Sequence, residues 1–170
     1  MIYRIIINMN INIITIGKLK ENYLKLMQDE YLKRISKFAK INIYELKEEE
    51  LKDESEVNVE KSKSIEGKRI IEQIDKIKDV NKQIYLLCIE GKEYDTLGLK
   101  NEINNHMING ISTIIFVIGG SYGISSEVKN KYKNHLSFSK LTFPHQVFRC
   151  MLLEQVYRVF KIINNEPYHK

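Results

Sequence analysis

The chain has 170 residues, with 27 Lys and Arg against 22 Asp and Glu, a formal net charge of +5 at neutral pH. With 29% charged and 43% hydrophobic residues it is not a disordered tail, a collagenous repeat or a disulfide-stapled miniprotein, and its length suits one domain around one core. Its longest apolar runs, such as residues 114–118, fall far short of the roughly 20 residues that a membrane-spanning helix needs.

The opening MIYRIIINMNINIITIG begins like a secretory leader, but Asn8, Asn10 and Asn12 interrupt it and no small-residue cleavage site follows, so a cytoplasmic protein is expected. Alternation over 12–16, closed by Gly17, predicts a first strand. Leu24, Met27, Tyr31, Ile35 and Phe38 then recur at spacings of three and four, one apolar helix face within 21–38. Residues 41–46 read as a second strand. The run KEEELKDESEVNVEK is charged and poor in apolar residues, hence a solvated loop, and it leads into a helix carrying Ile65, Ile70, Ile71, Ile74 and Ile77. A nearly continuous apolar run over 84–89 fits a strand buried on both faces and stops at Glu90-Gly91-Lys92. Asp95 or Thr96 caps the next helix, which extends to Gly110 as its C-cap. Residues 113–118 form the most hydrophobic strand and open directly into Gly119-Gly120-Ser121-Tyr122-Gly123. Ser125 or Ser126 caps a short basic helix, 136–140 is a last short strand, and 146–163 is a long amphipathic helix. Strand and helix alternate throughout, which predicts an α/β fold: a mostly parallel open sheet with helices on both faces. Ligands in such sheets bind outside the carboxyl ends of the strands, which singles out the loops after Ile89, Ile118 and Lys140.

Cys88 and Cys150 stand inside apolar stretches with no C-x-x-C pair, and the four histidines share no H-x-x-x-H spacing, so neither a disulfide nor a metal site is expected. Charge is uneven. Residues 129–170 hold eight basic and two acidic residues, so they carry +6 while residues 1–128 carry −1. A basic quarter of this kind is a footprint for a polyanion, or simply a solubilising surface.

The glycine loop lets backbone approach a ligand without a Cβ in the way, or is a plain tight turn. It is not G-x-G-x-x-G, and no acidic residue follows about 20 positions on, which disfavours a nicotinamide site and an oxidoreductase. The stretch LSFSKLTFPHQVFRCMLLEQVYRVFKIINNEPYHK says more. Pro144 suits the first turn of the following helix, and Ser139, Thr142 and free backbone groups before it can line a polar pocket that holds an adenine. Phe148, Leu152, Val156 and Val159 give that helix a core face. Arg149 and Arg158 stand in the same region, and the tail places Tyr168, His169 and Lys170 together.

On INIITIGKLKENY, IYLLCIEGK, FVIGGSYGIS and the whole of that C-terminal stretch, the chain resembles the ribosomal large-subunit pseudouridine N3-methyltransferase family (RlmH), of the SPOUT class of S-adenosylmethionine-dependent RNA methyltransferases. The likeness extends from Met9 to Lys170, as a single methyltransferase domain over 9–170. Residues 1–8 lie outside the family pattern and are expected to be an N-terminal extension, with Met9 as the natural start.

The resemblance implies a C-terminal trefoil knot, a homodimer, and S-adenosyl-L-methionine bound by Leu87, Gly120 and the loop Ser139, Lys140, Leu141, Thr142, Phe143 and Pro144. It implies methyl transfer to N3 of a pseudouridine in large-subunit rRNA, within the ribosome, with no membrane and no metal. Such a reaction needs alignment, a donor for the developing imidate and a proton acceptor. Arg149 could supply the donor and His169 the proton acceptor, with His145 and Glu154 left equally open as the base. Arg149, Tyr168 and His169 are the candidates for substrate contact, Tyr168 by stacking on a splayed base. Lys129, Lys131, Lys133 and Lys161 fit phosphate positioning. The competing reading is a non-catalytic basic RNA-binding protein of the ribosome, with RNA affinity and no cofactor.

Overall fold

The computed structural model describes residues 9–168, so the extension expected over 1–8 and the roles expected of His169 lie outside the described residues. In chain order the elements are β1 (Asn10–Ile16), α1 (Asn22–Ile35), β2 (Lys40–Leu46), α2 (Glu56–Lys76), β3 (Lys82–Glu93), α3 (Thr96–Ile108), β4 (Thr113–Ile118), α4 (Ser126–Lys131), β5 (His135–Ser137) and α5 (His145–Ile163). The strands form one sheet in the order β2-β1-β4-β3-β5, and every pairing is parallel.

Both faces of the sheet are covered, and the sequence shows why. Along β4 all six residues are buried, with Ile114, Phe116 and Ile118 on one face and Ile115 and Val117 on the other. The first face packs against α1, α3 and α5 through Ile35, Leu99, Ile103, Leu152, Val156 and Phe160. The second packs against α2 and α4 through Ile70, Ile74 and Val128. Full burial of an aliphatic side chain contributes about 1.5–3 kcal/mol, so the isoleucine-rich centre of the sheet dominates stability.

This layering also fixes where a ligand can sit. The connection leaving β3 runs to α3 on one face, whereas the connection leaving the adjacent β4 runs to α4 on the other. A crevice therefore opens between their carboxyl ends, the switch point at which open α/β sheets bind ligands.

Several boundaries differ from those read in the sequence. Helix α2 begins at Glu56, inside the stretch expected to be loop, because Asp53 Oδ1 accepts from Ser55 N (2.9 Å) and Asn58 Nδ2 (2.8 Å) and turns the chain into the helix. Asp95, not Thr96, caps α3, accepting from Gly98 N at 2.6 Å, and the C-cap of α3 is Asn109, one residue before the expected Gly110. Strand β5 stops at Ser137, where Ser139 Oγ accepts from Leu141 N (3.0 Å) and closes a turn. The run over 84–89 is buried on both faces only at Tyr85, Leu86 and Leu87; Cys88 is half-buried and Ile89 is exposed.

The cause of that last difference is a bulge. Leu87 pairs with Leu136 of β5, and so does Lys92, so residues 88–91 are looped out between two successive contacts. Gly91 brings the bulge back. A Cβ there would lie 2.6 Å from the Leu136 carbonyl carbon and 2.7 Å from that of His135, so no other residue fits without moving β5.

Candidate functional site

The bulge after Leu87, the glycine loop after β4 and the segment between β5 and α5 enclose a cavity of about 880 Å³. Leu87, Gly120, Ser139, Leu141, Thr142, Phe143 and Pro144 all line it, so three stretches far apart in sequence meet as the sheet rule expects. Lys140 does not line it. The turn closed by the Ser139 hydroxyl leaves Lys140 exposed, and its place in the expected cofactor loop is corrected accordingly.

One wall is aromatic. Phe148 of α5 meets Phe138 with ring centroids 4.9 Å apart and tilted at 58°, and Phe143 at 6.3 Å and 21°, which presents flat apolar surface to a ring. Ser137 Oγ donates to Ser139 O at 3.0 Å and steadies the same segment. The opposite wall, formed by the bulge, carries Cys88, Ile89 and Glu90, none of which the sequence reading put forward. Burial, the largest cause, pushes the Cys88 thiol up from its ordinary value, which favours the neutral thiol.

Gly120 is also packed closely by its neighbours. A Cβ at this position would lie 3.0 Å from Glu66 Oε2 and 3.1 Å from Ile16 Cγ2. Glu66 is a buried carboxylate on α2, raised in pKa chiefly by desolvation, and its Oε1 accepts from Glu49 N at 3.0 Å. Arg69 clamps the same segment, donating to Lys47 O (2.9 Å) and Glu49 Oε2 (2.6 Å). The acidic stretch without an assigned role is thus strapped against the glycine loop, where Ser121 Oγ and Tyr122 OH donate to Glu48 and Glu54, each at 3.3 Å.

Of the groups left open as base, the structure brings one to the cavity. His145 lines it at the first position of α5, and burial holds its imidazole below the usual pKa, with Arg149 and Lys20 adding to that shift and Glu48 opposing it. The ring is neutral at neutral pH and able to accept a proton. Glu154 lies further along α5 and is taken by Arg158, whose Nη2 donates to Oε1 at 2.5 Å.

Arg149 is not at the cavity surface. It is fully buried, donating to Glu45 Oε1 (2.5 Å), Gly17 O (2.9 Å), Gln28 Oε1 (3.2 Å) and Thr15 Oγ1 (3.4 Å). The α5 face that Arg149 occupies points at the carboxyl end of β1, so it ties that end to the helix, and its guanidinium is not among the groups lining the cavity. Tyr168 is likewise brought elsewhere. Its ring meets Tyr157 edge-on at 4.9 Å, Arg158 lies 4.6 Å from the ring centre, and its hydroxyl donates to Glu154 Oε1 at 3.3 Å. Nearby Tyr31 is pushed up to about 12, mainly by burial and then by its hydrogen bond with Tyr168.

The basic quarter is largely paired within the chain. Arg149, Arg158, Lys161, Lys129 and Lys131 face Glu45, Glu154, Glu166, Glu90 and Asp75 respectively. What remains for a polyanion is a few lysines, Lys133 and Lys140 among them, and not the whole excess of +6.

Comparison with known proteins agrees with this architecture. A family profile described as "Predicted SPOUT methyltransferase" matches residues 9–169. A protein of Clostridium tetani (strain Massachusetts / E88) named Ribosomal RNA large subunit methyltransferase H is 48% identical over 163 residues, covering 95% of this chain and 100% of the relative. One of the same name from Clostridium botulinum (strain Hall) is 48% identical over 165 residues with the same coverage. With the profile spanning every described element and near half of all residues shared end to end with those relatives, the chain belongs to the ribosomal RNA large subunit methyltransferase H family of SPOUT methyltransferases.

Proposed function

We propose that the chain transfers a methyl group from S-adenosylmethionine to N3 of a pseudouridine in large-subunit rRNA, and that the cavity between the ends of β3 and β4 holds the donor. The observation that carries the reading is the cavity itself. Its 880 Å³ lies within the roughly 300–1,000 Å³ usual for small-molecule sites, and it joins an aromatic wall to a polar, backbone-rich one, as a nucleoside with a polar tail requires. Membership of the class implies a C-terminal trefoil knot, and the donor-binding role of the glycine loop and of the segment that leads into α5 is part of this proposal.

S-adenosylmethionine supplies, when bound, an electrophilic methyl on a sulfonium. The chain's own residues have two tasks: to hold an imide nitrogen in line and to accept its proton. Leu87, Gly120, Ser139, Leu141, Thr142, Phe143 and Pro144 form the donor site. His145, neutral and half-buried at its edge, is the proton acceptor at Nε2 or Nδ1. Arg149 keeps His145 in place indirectly: it holds the Gly17 carbonyl, and a methyl group added at Gly17 would lie only 3.7 Å from His145 Nε2. Of the tail residues considered for contact with the target base, His169 remains the candidate, since Tyr168 is docked on Tyr157 and Arg158.

A homodimer is part of the proposal, as the resemblance implies. On α5, Leu153 is fully buried and Ile163 packs on the core. Apolar surface without cover lies instead on α1, where Tyr23, Leu26 and Met27 share a face and are 65%, 70% and 38% exposed. Twofold pairing on that face would cover it.

Calorimetric titration with S-adenosylhomocysteine, followed by transfer of labelled methyl to ribosomes, tests the reading. Binding in the micromolar range, and labelling that disappears on ribosomes lacking large-subunit pseudouridines, are expected. A chain that binds RNA but not S-adenosylhomocysteine would instead be a non-catalytic RNA-binding protein.

A further inference from the structure

The bulge carries a carboxylate that no part of the proposed reaction uses. Glu90 lines the cavity from the bulge of β3, its side chain 55% exposed, and one of its oxygens is bonded by Lys129 of α4. Lys129 lines the cavity as well, so the pair bridges the β3 bulge and the helix that follows the glycine loop. We propose that Glu90, oriented by Lys129, accepts hydrogen bonds from the ribose hydroxyls of the nucleoside bound in the cavity, an inference that rests on the donor reading above.

The topology supports this placement. In dinucleotide folds the ribose is read by an acidic residue at the end of the strand adjacent to the one that opens into the glycine loop. Here the acid does not follow the glycine loop in sequence, which disfavours the nicotinamide motif, yet β3 is hydrogen-bonded beside β4 as far as Leu87, and the bulge that follows carries Glu90. The sheet thus sets a carboxylate in the equivalent position from a segment that precedes the loop. Charge decides which part of the nucleoside it meets. Lys129 offsets the carboxylate charge and, as the largest cause, keeps Glu90 ionised by lowering its pKa. A neutralised pair gains little from an ammonium or a sulfonium, whereas its free acceptor lone pairs suit neutral hydroxyl donors. A vicinal diol offers two such donors at once. The aromatic wall of Phe138, Phe143 and Phe148 remains available for the base.

Three probes test the idea by calorimetry: S-adenosylhomocysteine, its 2′,3′-dideoxy analogue, and 5′-methylthioadenosine, which keeps the ribose and lacks the amino acid. The unaltered chain is expected to bind the dideoxy compound about 10- to 100-fold more weakly than S-adenosylhomocysteine, the range for hydrogen bonds to a charged group. Glu90→Ala should abolish that discrimination and weaken S-adenosylhomocysteine and methylthioadenosine equally; Glu90→Gln, which keeps one acceptor, should fall between. Glu90 is on the surface, and circular dichroism should match the parent chain for both variants. Full discrimination retained by Glu90→Ala overturns the inference, as does a loss confined to S-adenosylhomocysteine, which would mean that the carboxylate reads the ammonium. If the unaltered chain binds none of the probes, it is the donor reading that has failed.

Discussion

Arg149→Met separates a positioning role from a catalytic one. The substitution keeps most of the apolar stem and removes a guanidinium that is 0% exposed. Removing one member of a buried ion pair costs about 3–5 kcal/mol, but the Glu45 side chain is 29% exposed and water can reach it, so the lower end applies. Gly17 O is the acceptor left without a partner, at about 1–3 kcal/mol within that total. We therefore expect a loss of about 3 kcal/mol, read as a lower urea midpoint at unchanged slope, and a Tm lower by about 6–12 °C at 2–4 °C per kcal/mol for a chain of this size. Arg149→Met with Glu45→Leu should recover most of the loss, because replacing both partners leaves no orphaned charge. S-adenosylhomocysteine binding by the single variant at low temperature should change less than methyl transfer, since the displaced element is the β1 end beside His145. A change in stability under about 0.5 kcal/mol together with abolished transfer would refute the reasoning and return Arg149 to the catalytic role.

Gly120→Ala should cost about 1–3 kcal/mol, because its Cβ meets Glu66 and Ile16, and pairing it with Glu66→Ala should restore at least about 0.5 kcal/mol of that; strict additivity in urea titrations would contradict the contact. His145→Gln should leave S-adenosylhomocysteine affinity within about threefold while transfer falls by roughly 10²- to 10⁴-fold. Since burial holds the His145 pKa below 6.5, the unfolded chain binds the extra proton first: the stability linked to this group is whole above pH 6.5 and is lost as pH falls below it. The acid limb of transfer should accordingly begin below pH 6.5 and be absent from the Gln variant, and a limb at higher pH would exclude His145 as the base. Deleting residues 168–170 should spare donor binding and abolish transfer. Mixing that truncated chain with His145→Gln should restore part of the activity if tail and cavity come from different protomers, and none if they come from one.

Much of the sheet was legible because its signals are local. The bounds of β4 came out as read, and the loops near Leu87, Gly120 and Ser139 followed from alternation plus the rule for parallel sheets. The bulge at 88–91 was not, because it is a property of pairing with β5, and the only trace in sequence is a glycine at the point of closest approach. The burial of Arg149 was illegible for a similar reason. An arginine on an apolar helix suggests a ligand contact, and nothing in the sequence connects it with Glu45 and Gly17, both more than 100 residues away. The acidic stretch carried no motif at all. Its role depends on Glu66 being buried beneath Gly120, a contact that composition cannot express.

The placement of the tail bears on how the site is completed. His145 and Glu154 are nine positions apart on α5, about 13 Å along its axis, and Tyr168 packs beside Glu154 and not beside His145. Within one chain, then, the aromatic group expected over the target base stands more than two helical turns from the proton acceptor. Undocking it would forfeit the Tyr157 contact, the Arg158 stacking and the hydrogen bond to Glu154. Pairing through the exposed face of α1 requires no such loss. Helix α1 packs along α5, and Tyr31 lies within the Tyr168 cluster, so a second copy on Tyr23, Leu26 and Met27 would approach the tail while it remains docked. On this geometry Tyr168 stays docked on Tyr157 and Arg158, away from the cavity edge at which His145 lies.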